Sequence, residues 1–234
     1  MLVLLGDIAS GALAEGEKLP SLPQLSTQFG VSTGVVRECQ RALAERGLVS
    51  VRHGRRAIVR PEEEWDVFDP DVLAALVRSD RAADVLGEYL ESRRILEVEA
   101  AGLAAERATP TAVQRLSEAF EAMRTAAERA RVNPAAEPLY EKADVDFHRA
   151  IIRAAGNRPF ARMAEPIHRA LSATFAALAR PQTRFERGLP EHARILEAIA
   201  GGDAAGARLA MREHLMTVEG YLRERERGGA PAGR

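Results

Sequence analysis

A chain of 234 residues has room for one large domain or two modest ones, and its 46% of hydrophobic residues can fill a proper core. Alanine is abundant and aromatic residues make up only 5%, which favours helices over a β-sandwich. The single cysteine, Cys39, excludes a disulfide framework and a cysteine-based zinc finger. The net charge of −1 hides an asymmetry: residues 1–60 hold eight Lys or Arg against five acids, and the remainder holds 25 against 29. A basic head on an acidic body suits a head that meets a polyanion. No apolar run approaches a membrane span, and Met1–Leu5 is too short for the apolar part of a signal peptide. A soluble cytoplasmic protein with no membrane partner is therefore expected.

The head divides into short elements. Leu2–Ala9 can form an apolar helix ending at Ser10-Gly11, followed by a glycine-containing loop. Ser21 is a good cap for a helix carrying Leu22, Leu25 and Phe29, and Gly30 ends it. Ser32 or Thr33 can cap the next helix, which runs to Arg46. Its apolar stripe is read as Val35, Val36, Cys39, Ala42 and Leu43, with Thr33, Arg37, Gln40 and Arg41 on the other face. Two helices joined by a tight turn fit a helix-turn-helix, whose second helix enters the major groove. Arg37 and Arg41 then face DNA together, although solvated surface arginines have the same spacing. Residues 48–52 and 56–60 read as two short strands with His53-Gly54-Arg55 as a basic tip, which makes the helix-turn-helix winged.

At these residues the chain resembles the GntR-type bacterial regulators. The likeness rests on Gly16-Glu17-Lys18-Leu19-Pro20-Ser21, Phe29-Gly30-Val31-Ser32, Val36-Arg37-Glu38 and Leu43-Ala44-Glu45-Arg46-Gly47-Leu48-Val49. It implies that Ser21, Thr33, Arg37, Arg41, His53 and Gly54 meet double-stranded operator DNA, with His53-Gly54 in the minor groove as in FadR-type members. Thr33 stands where the family usually has arginine. Cys39, where alanine is usual, reads as a packed small residue.

Residues 61–69 read as a polar linker, and Asp69-Pro70 as the start of a short helix to Arg78. Trp65 through Asp71-Val72-Leu73 is similar to FadR-subfamily members responding to sugar acids such as galactonate, or it simply staples two domains together. Six further helices are expected at 82–108, 111–131, 139–155, 159–179, 191–200 and 203–227, with 180–190 a polar connection and 228–234 a frayed tail. The fold class is thus mostly α: a winged helix-turn-helix over 1–60, then an all-α bundle of about seven helices over 70–227.

Polar residues on the inward faces carry the chemistry. Asp144 and His148 lie one turn apart on a helix whose same face continues through Ile151, Ile152 and Ala155. Taken alone they are a structural salt-linked pair or two metal ligands. His192 shares a face with Ile195, Leu196 and Ile199, and His214 shares one with Met211 and Val218. Three core-facing histidines and an aspartate suit a divalent metal, zinc first, with nickel, manganese or iron also suitable. Asp146 falls off that face. Arg93 and Glu97 border an apolar stripe, either as an i, i+4 ion pair or with Arg93 turned toward a ligand carboxylate. His168 reads as structural.

This second half is similar to the FCD effector domain of FadR-type regulators. The likeness rests on Glu91–Glu97, Ala104–Thr109, Asp144-x-x-Phe147-His148, Gly156-Asn157, Glu191-His192 and His214-Leu215. It implies a metal on Asp144, His148, His192 and His214, and effector contacts at Arg93 and Asn157. The expectation is a homodimeric regulator, a repressor by family habit, with a small carboxylate effector. The alternative is a metal-dependent enzyme acting on a small carboxylic acid, for which Glu97 and Asp146 are the only nearby general-base candidates.

Overall fold

A computed structural model describes residues 1–176 and 184–228, with side chains described outside 172–184 and 221–228. The expected frayed tail, apart from Gly228, and the stretch 177–183 lie outside the described residues. The chain forms two compact units, Met1–Val85 and Leu86–Arg234.

In the first unit α1 (Leu2–Ala9) and α2 (Leu22–Phe29) precede α3 (Thr33–Glu45). Ser21 and Gln24 form a reciprocal capping box on α2, and Gly30 ends that helix with φ of 63°. Ser32 caps α3 through the Val35 N–H. The buried positions of α3 are Val36, Gln40 and Leu43, while Val35 is 54% exposed. This corrects the expected stripe. The inward face follows i, i+4, i+7 from Val36, so Val35 sits about 100° away from it and Gln40 falls on it.

Strands β1 (Val49–Ser50) and β2 (Ile58–Val59) pair antiparallel, with Val49 opposite Val59. They are shorter than the sequence implies, and β2 is shared. At its other edge Val59 bonds Gly16 and Glu17, and Leu19 donates to the Ala57 carbonyl just before the strand, in a segment the sequence reads as loop. Arg56 fastens that segment, its guanidinium donating to the carbonyls of Leu19 at 2.6 Å and Lys18 at 3.0 Å. Residues 51–56 form an exposed tip.

The stretch after the wing packs back on the end of α3. Gly47 has φ of +75°, and a methyl group there would lie 2.0 Å from the Glu64 carbonyl oxygen. Only glycine permits both the turn and the approach. The Asp66 N–H donates to the Arg46 carbonyl at 2.8 Å, and the Arg46 side chain pairs with Asp69 and Asp71. Trp65 donates its indole N–H to the Arg60 carbonyl within this same unit. Helix α4 (Pro70–Leu76), capped by Asp69, packs on α1 through buried Val72, Leu73, Ala75 and Leu76. The segment read as linker and first bundle helix thus completes the core of the head.

The second unit is helical throughout its described residues: α5 (Ala82–Arg107, beginning just before the division), α6 (Pro110–Val132), α7 (Glu137–Ala154), α8 (Arg158–Ala176), α9 (Arg184–Ala200) and α10 (Ala204–Gly228). Adjacent packing runs α6 on α7 and α9, α7 on α8, and α9 on α10. Small residues at the contacts (Ala100, Ala101, Ala104, Ala127, Ala155 and Ala207) are fully buried and let the helices approach closely around Phe147, Ile151, Ile195 and Met211. Helix α9 starts seven residues before the expected position and runs through Pro190, the last residue of the expected polar connection.

Gly47→Ala is expected to destabilise the head by about 2 kcal/mol or more, because the strain cannot be relieved without moving residues 64–65. A melt of the variant that matches the wild type would contradict this packing.

Candidate metal centre

Three histidines from three helices meet inside the bundle. His148 on α7, His192 on α9 and His214 on α10 are 0%, 1% and 3% exposed, and one ring nitrogen from each lies within 4.8 Å of the others. Each outward nitrogen has an oxygen acceptor beside it, hydrogen-bonded at His192 and His214 and close but poorly aligned at His148. His192 Nδ1 is 2.7 Å from the Gly188 carbonyl, His214 Nδ1 is 2.9 Å from Glu191 Oε2, and His148 Nδ1 approaches Glu97 Oε2 obliquely at 2.5 Å. Each acceptor calls for the proton on Nδ1, which leaves Nε2 as an inward lone pair.

Those lone pairs crowd one another. Nε2 of His148 and His192 are 3.2 Å apart, and Asp144 Oδ1 lies 3.2 Å from His192 Nε2. Acceptors that close repel unless a cation or an additional proton lies among them. Two nitrogens bound to one metal at about 2.0–2.1 Å stand roughly 2.9–3.4 Å apart for angles near 90–110°. The donor set and its spacing therefore fit a divalent ion.

Local sequence sets each orientation. Asp144 and His148 are one turn apart on α7. On α9 the proline at 190 removes an N–H from the helix ladder, and two residues earlier the Gly188 carbonyl receives the His192 ring. Gly188 also leaves room for the Tyr140 hydroxyl, which would sit 3.1 Å from a methyl there. Glu191 is steadied by Thr217, which donates to Oε1 at 3.0 Å. Phe147 walls the site, edge-on to His192 and His148 with ring centroids 5.2 and 5.9 Å away.

Comparison with known proteins accords with this arrangement. Residues 88–217 match the FCD domain, and residues 3–59 match the bacterial regulatory proteins of the gntR family. The chain belongs to the GntR family. LutR, an HTH-type transcriptional regulator of Bacillus subtilis, is 33% identical over 92% of this chain and 95% of its own. The galactonate operon transcriptional repressor of Escherichia coli is 26% identical, covering 85% of each chain. Among solved structures, Lar of Listeria monocytogenes superposes with a TM-score of 0.62 at 19% identity, covering 95% of this chain and 94% of that one, a likeness of fold. Family and relatives are transcriptional regulators, so this GntR chain is a regulator and the enzyme alternative falls away.

The structure brings together all four residues expected to hold a metal. Arg93 is buried beside them on α5, its Nε donating to Glu97 Oε1 at 2.6 Å. Asn157 is not brought there. It is exposed at the start of α8, where its short side chain accepts from the Phe160 N–H, a capping task that fixes it in place. Asp146 points outward to Lys142. In the head, Thr33, Arg37, His53 and Gly54 are exposed, and Gly54 turns the wing tip with φ of +71°. Arg41 is exposed but paired with Glu38 and Glu45, and Ser21 is committed to capping α2. Sequence reasoning missed Glu191 and Gly188. It reads His168 as structural, and the residue is buried with Nε2 2.8 Å from Glu97 Oε1.

Electrostatics keep the site in a ligating state. Burial, helped by neighbouring His192 and His148, pushes His214 well below the ordinary imidazole range, and burial lowers His148 as well. Burial alone would raise the Asp144 carboxyl. With no cation there, an additional proton on His192 Nε2 donates to Asp144, and this hydrogen bond with the charges of His148, His192 and Arg93 outweighs burial and holds Asp144 well below the usual range.

Phe147→Ala is expected to cost about 3–5 kcal/mol, and Phe147→Leu under about 1.5 kcal/mol, since the first removes the wall and the second refills most of it. Equilibrium denaturation measures both. A cost below about 1 kcal/mol for the alanine variant would show that Phe147 does not pack as described.

Proposed function

We propose that this GntR regulator is a homodimeric repressor whose FCD domain holds a divalent metal on Asp144, His148, His192 and His214 and takes a small carboxylate, of the sugar-acid class, as effector. The observation that carries the reading is the set of three inward imidazole nitrogens, each with an oxygen acceptor beside its outward nitrogen. When bound there, a metal, zinc by preference, supplies a concentrated positive charge and open positions for an anionic oxygen. Arg93 adds a guanidinium held by Nε, and such a fork suits a carboxylate. The galactonate repressor among the relatives favours a sugar acid.

In the head, Arg37 pairs with no acidic side chain among the described residues, while Arg41 is shared with two glutamates. Arg37 is therefore the leading base-reading residue, with Thr33 and the wing tip His53-Gly54 beside it. Arg41 and Ser21 serve to shape the surface that meets DNA. Two heads of a dimer would read a two-fold operator. An effector releases DNA only if it binds the released state more tightly than the DNA-bound one.

Arg37→Ala is expected to abolish the specific operator footprint while metal content stays at the wild-type level; an unchanged footprint overturns the head assignment. His192→Ala is expected to lower metal occupancy severalfold by elemental analysis, and Asp146→Asn to leave it unchanged. Full occupancy in His192→Ala overturns the metal assignment. On metal-loaded protein, a sugar acid well above its dissociation constant is expected to raise the melting temperature and weaken operator binding together. No shift with any sugar acid, lactate or dicarboxylate overturns the effector class.

A further inference from the structure

Glu97 is the most deeply buried carboxylate of the described residues, 1% exposed, and it faces three donors from three helices. Oε1 receives Arg93 Nε from α5 at 2.6 Å and lies 2.8 Å from His168 Nε2 on α8, while Oε2 lies 2.5 Å from His148 Nδ1 on α7. We propose that Glu97 is the positioning residue of the site: its one carboxylate fixes His148 in the tautomer that turns Nε2 inward, and it holds Arg93 by the same group. The proposal rests on the metal reading above and deepens it.

A carboxylate offers only acceptors, about four lone-pair sites on two oxygens, so it can face all three at once, with Arg93 Nε hydrogen-bonded and the two histidines close by. Glutamine at this position cannot. Its amide NH2 would point a donor at Arg93, at His168 or at His148. Turned toward His148 it would reverse the tautomer and withdraw the inward lone pair. Outer partners of ligating histidines orient the ring and raise its basicity, and their loss weakens metal binding by about 10–100-fold. The competing explanation is that Glu97 only neutralises the buried Arg93 charge, since breaking such a pair leaves an uncompensated ion.

Removing both charges separates the two explanations and avoids the stranded arginine that could unfold Glu97→Gln alone. Full-length wild type, Arg93→Gln and the double variant Arg93→Gln/Glu97→Gln are compared for zinc affinity by competition with a chromophoric chelator. The same three proteins, metal-free, are examined by long-range 1H–15N correlation for the His148 tautomer. The double variant is expected to bind zinc about 10–100-fold more weakly than Arg93→Gln, and its His148 to move from the Nδ1–H form to the Nε2–H form. Equal zinc affinity in the two variants together with an unchanged tautomer overturns the assignment and leaves Glu97 as a counter-charge. A wild-type chain that takes up no zinc overturns the metal reading instead, and the tautomer measured without metal still decides the role of Glu97.

Discussion

Lone-pair crowding in the middle of the second unit is the constraint on which its architecture depends. Three imidazoles and an aspartate converge with their acceptor atoms facing inward, and the proton-bearing nitrogens face a carbonyl and two carboxylates. Such a cluster is unfavourable in a dry interior unless something positive occupies its centre. The surrounding helices hold it by packing. Alanines allow close approach, Phe147 presses two of the rings edge-on, and each ring's outward bond sets its rotation. Coordination chemistry and bundle packing are therefore the same problem in this domain, since a change in either moves the other.

The polar shell around the cluster spreads that problem over several helices. Glu97 ties α5 to α7 and α8, and Glu191 on α9 reaches His214 and Thr217 on α10. A ligand that alters the charge at the centre thus acts on contacts reaching α5, α7, α8, α9 and α10. Sub-ångström changes at such a centre can bias rigid helices between discrete arrangements. The head shows comparable economy. Gly47 and Arg46 fasten the segment after the wing to the end of α3, so the presentation of Arg37 is tied to the packing of α4 on α1.

Much of this was legible in the sequence, for identifiable reasons. Asp144, His148, His192 and His214 are polar residues at apolar positions of helical stripes, and local periodicity exposes that anomaly. Caps at Ser21, Ser32 and Asp69 are equally local and fell where expected. Features set between helices were not legible. The Arg93–Glu97 pair follows from spacing, but nothing in the chain order says that Glu97 also meets His148 and His168. A phase error of one residue on α3 exchanged Val35 with Gln40. Residues 184–190 read as part of a polar connection, yet α9 includes them and passes through Pro190. Asn157 entered through resemblance alone, and its side chain is used at the cap of α8.

The central claim is that the three inward nitrogens belong to one metal ion. X-ray absorption of the zinc-loaded full-length protein tests it most directly. The account predicts a shell of nitrogen and oxygen at about 2.0–2.1 Å with the outer-shell scattering of three imidazoles and no sulfur. A spectrum lacking multiple-histidine scattering, or showing a sulfur ligand, would contradict it.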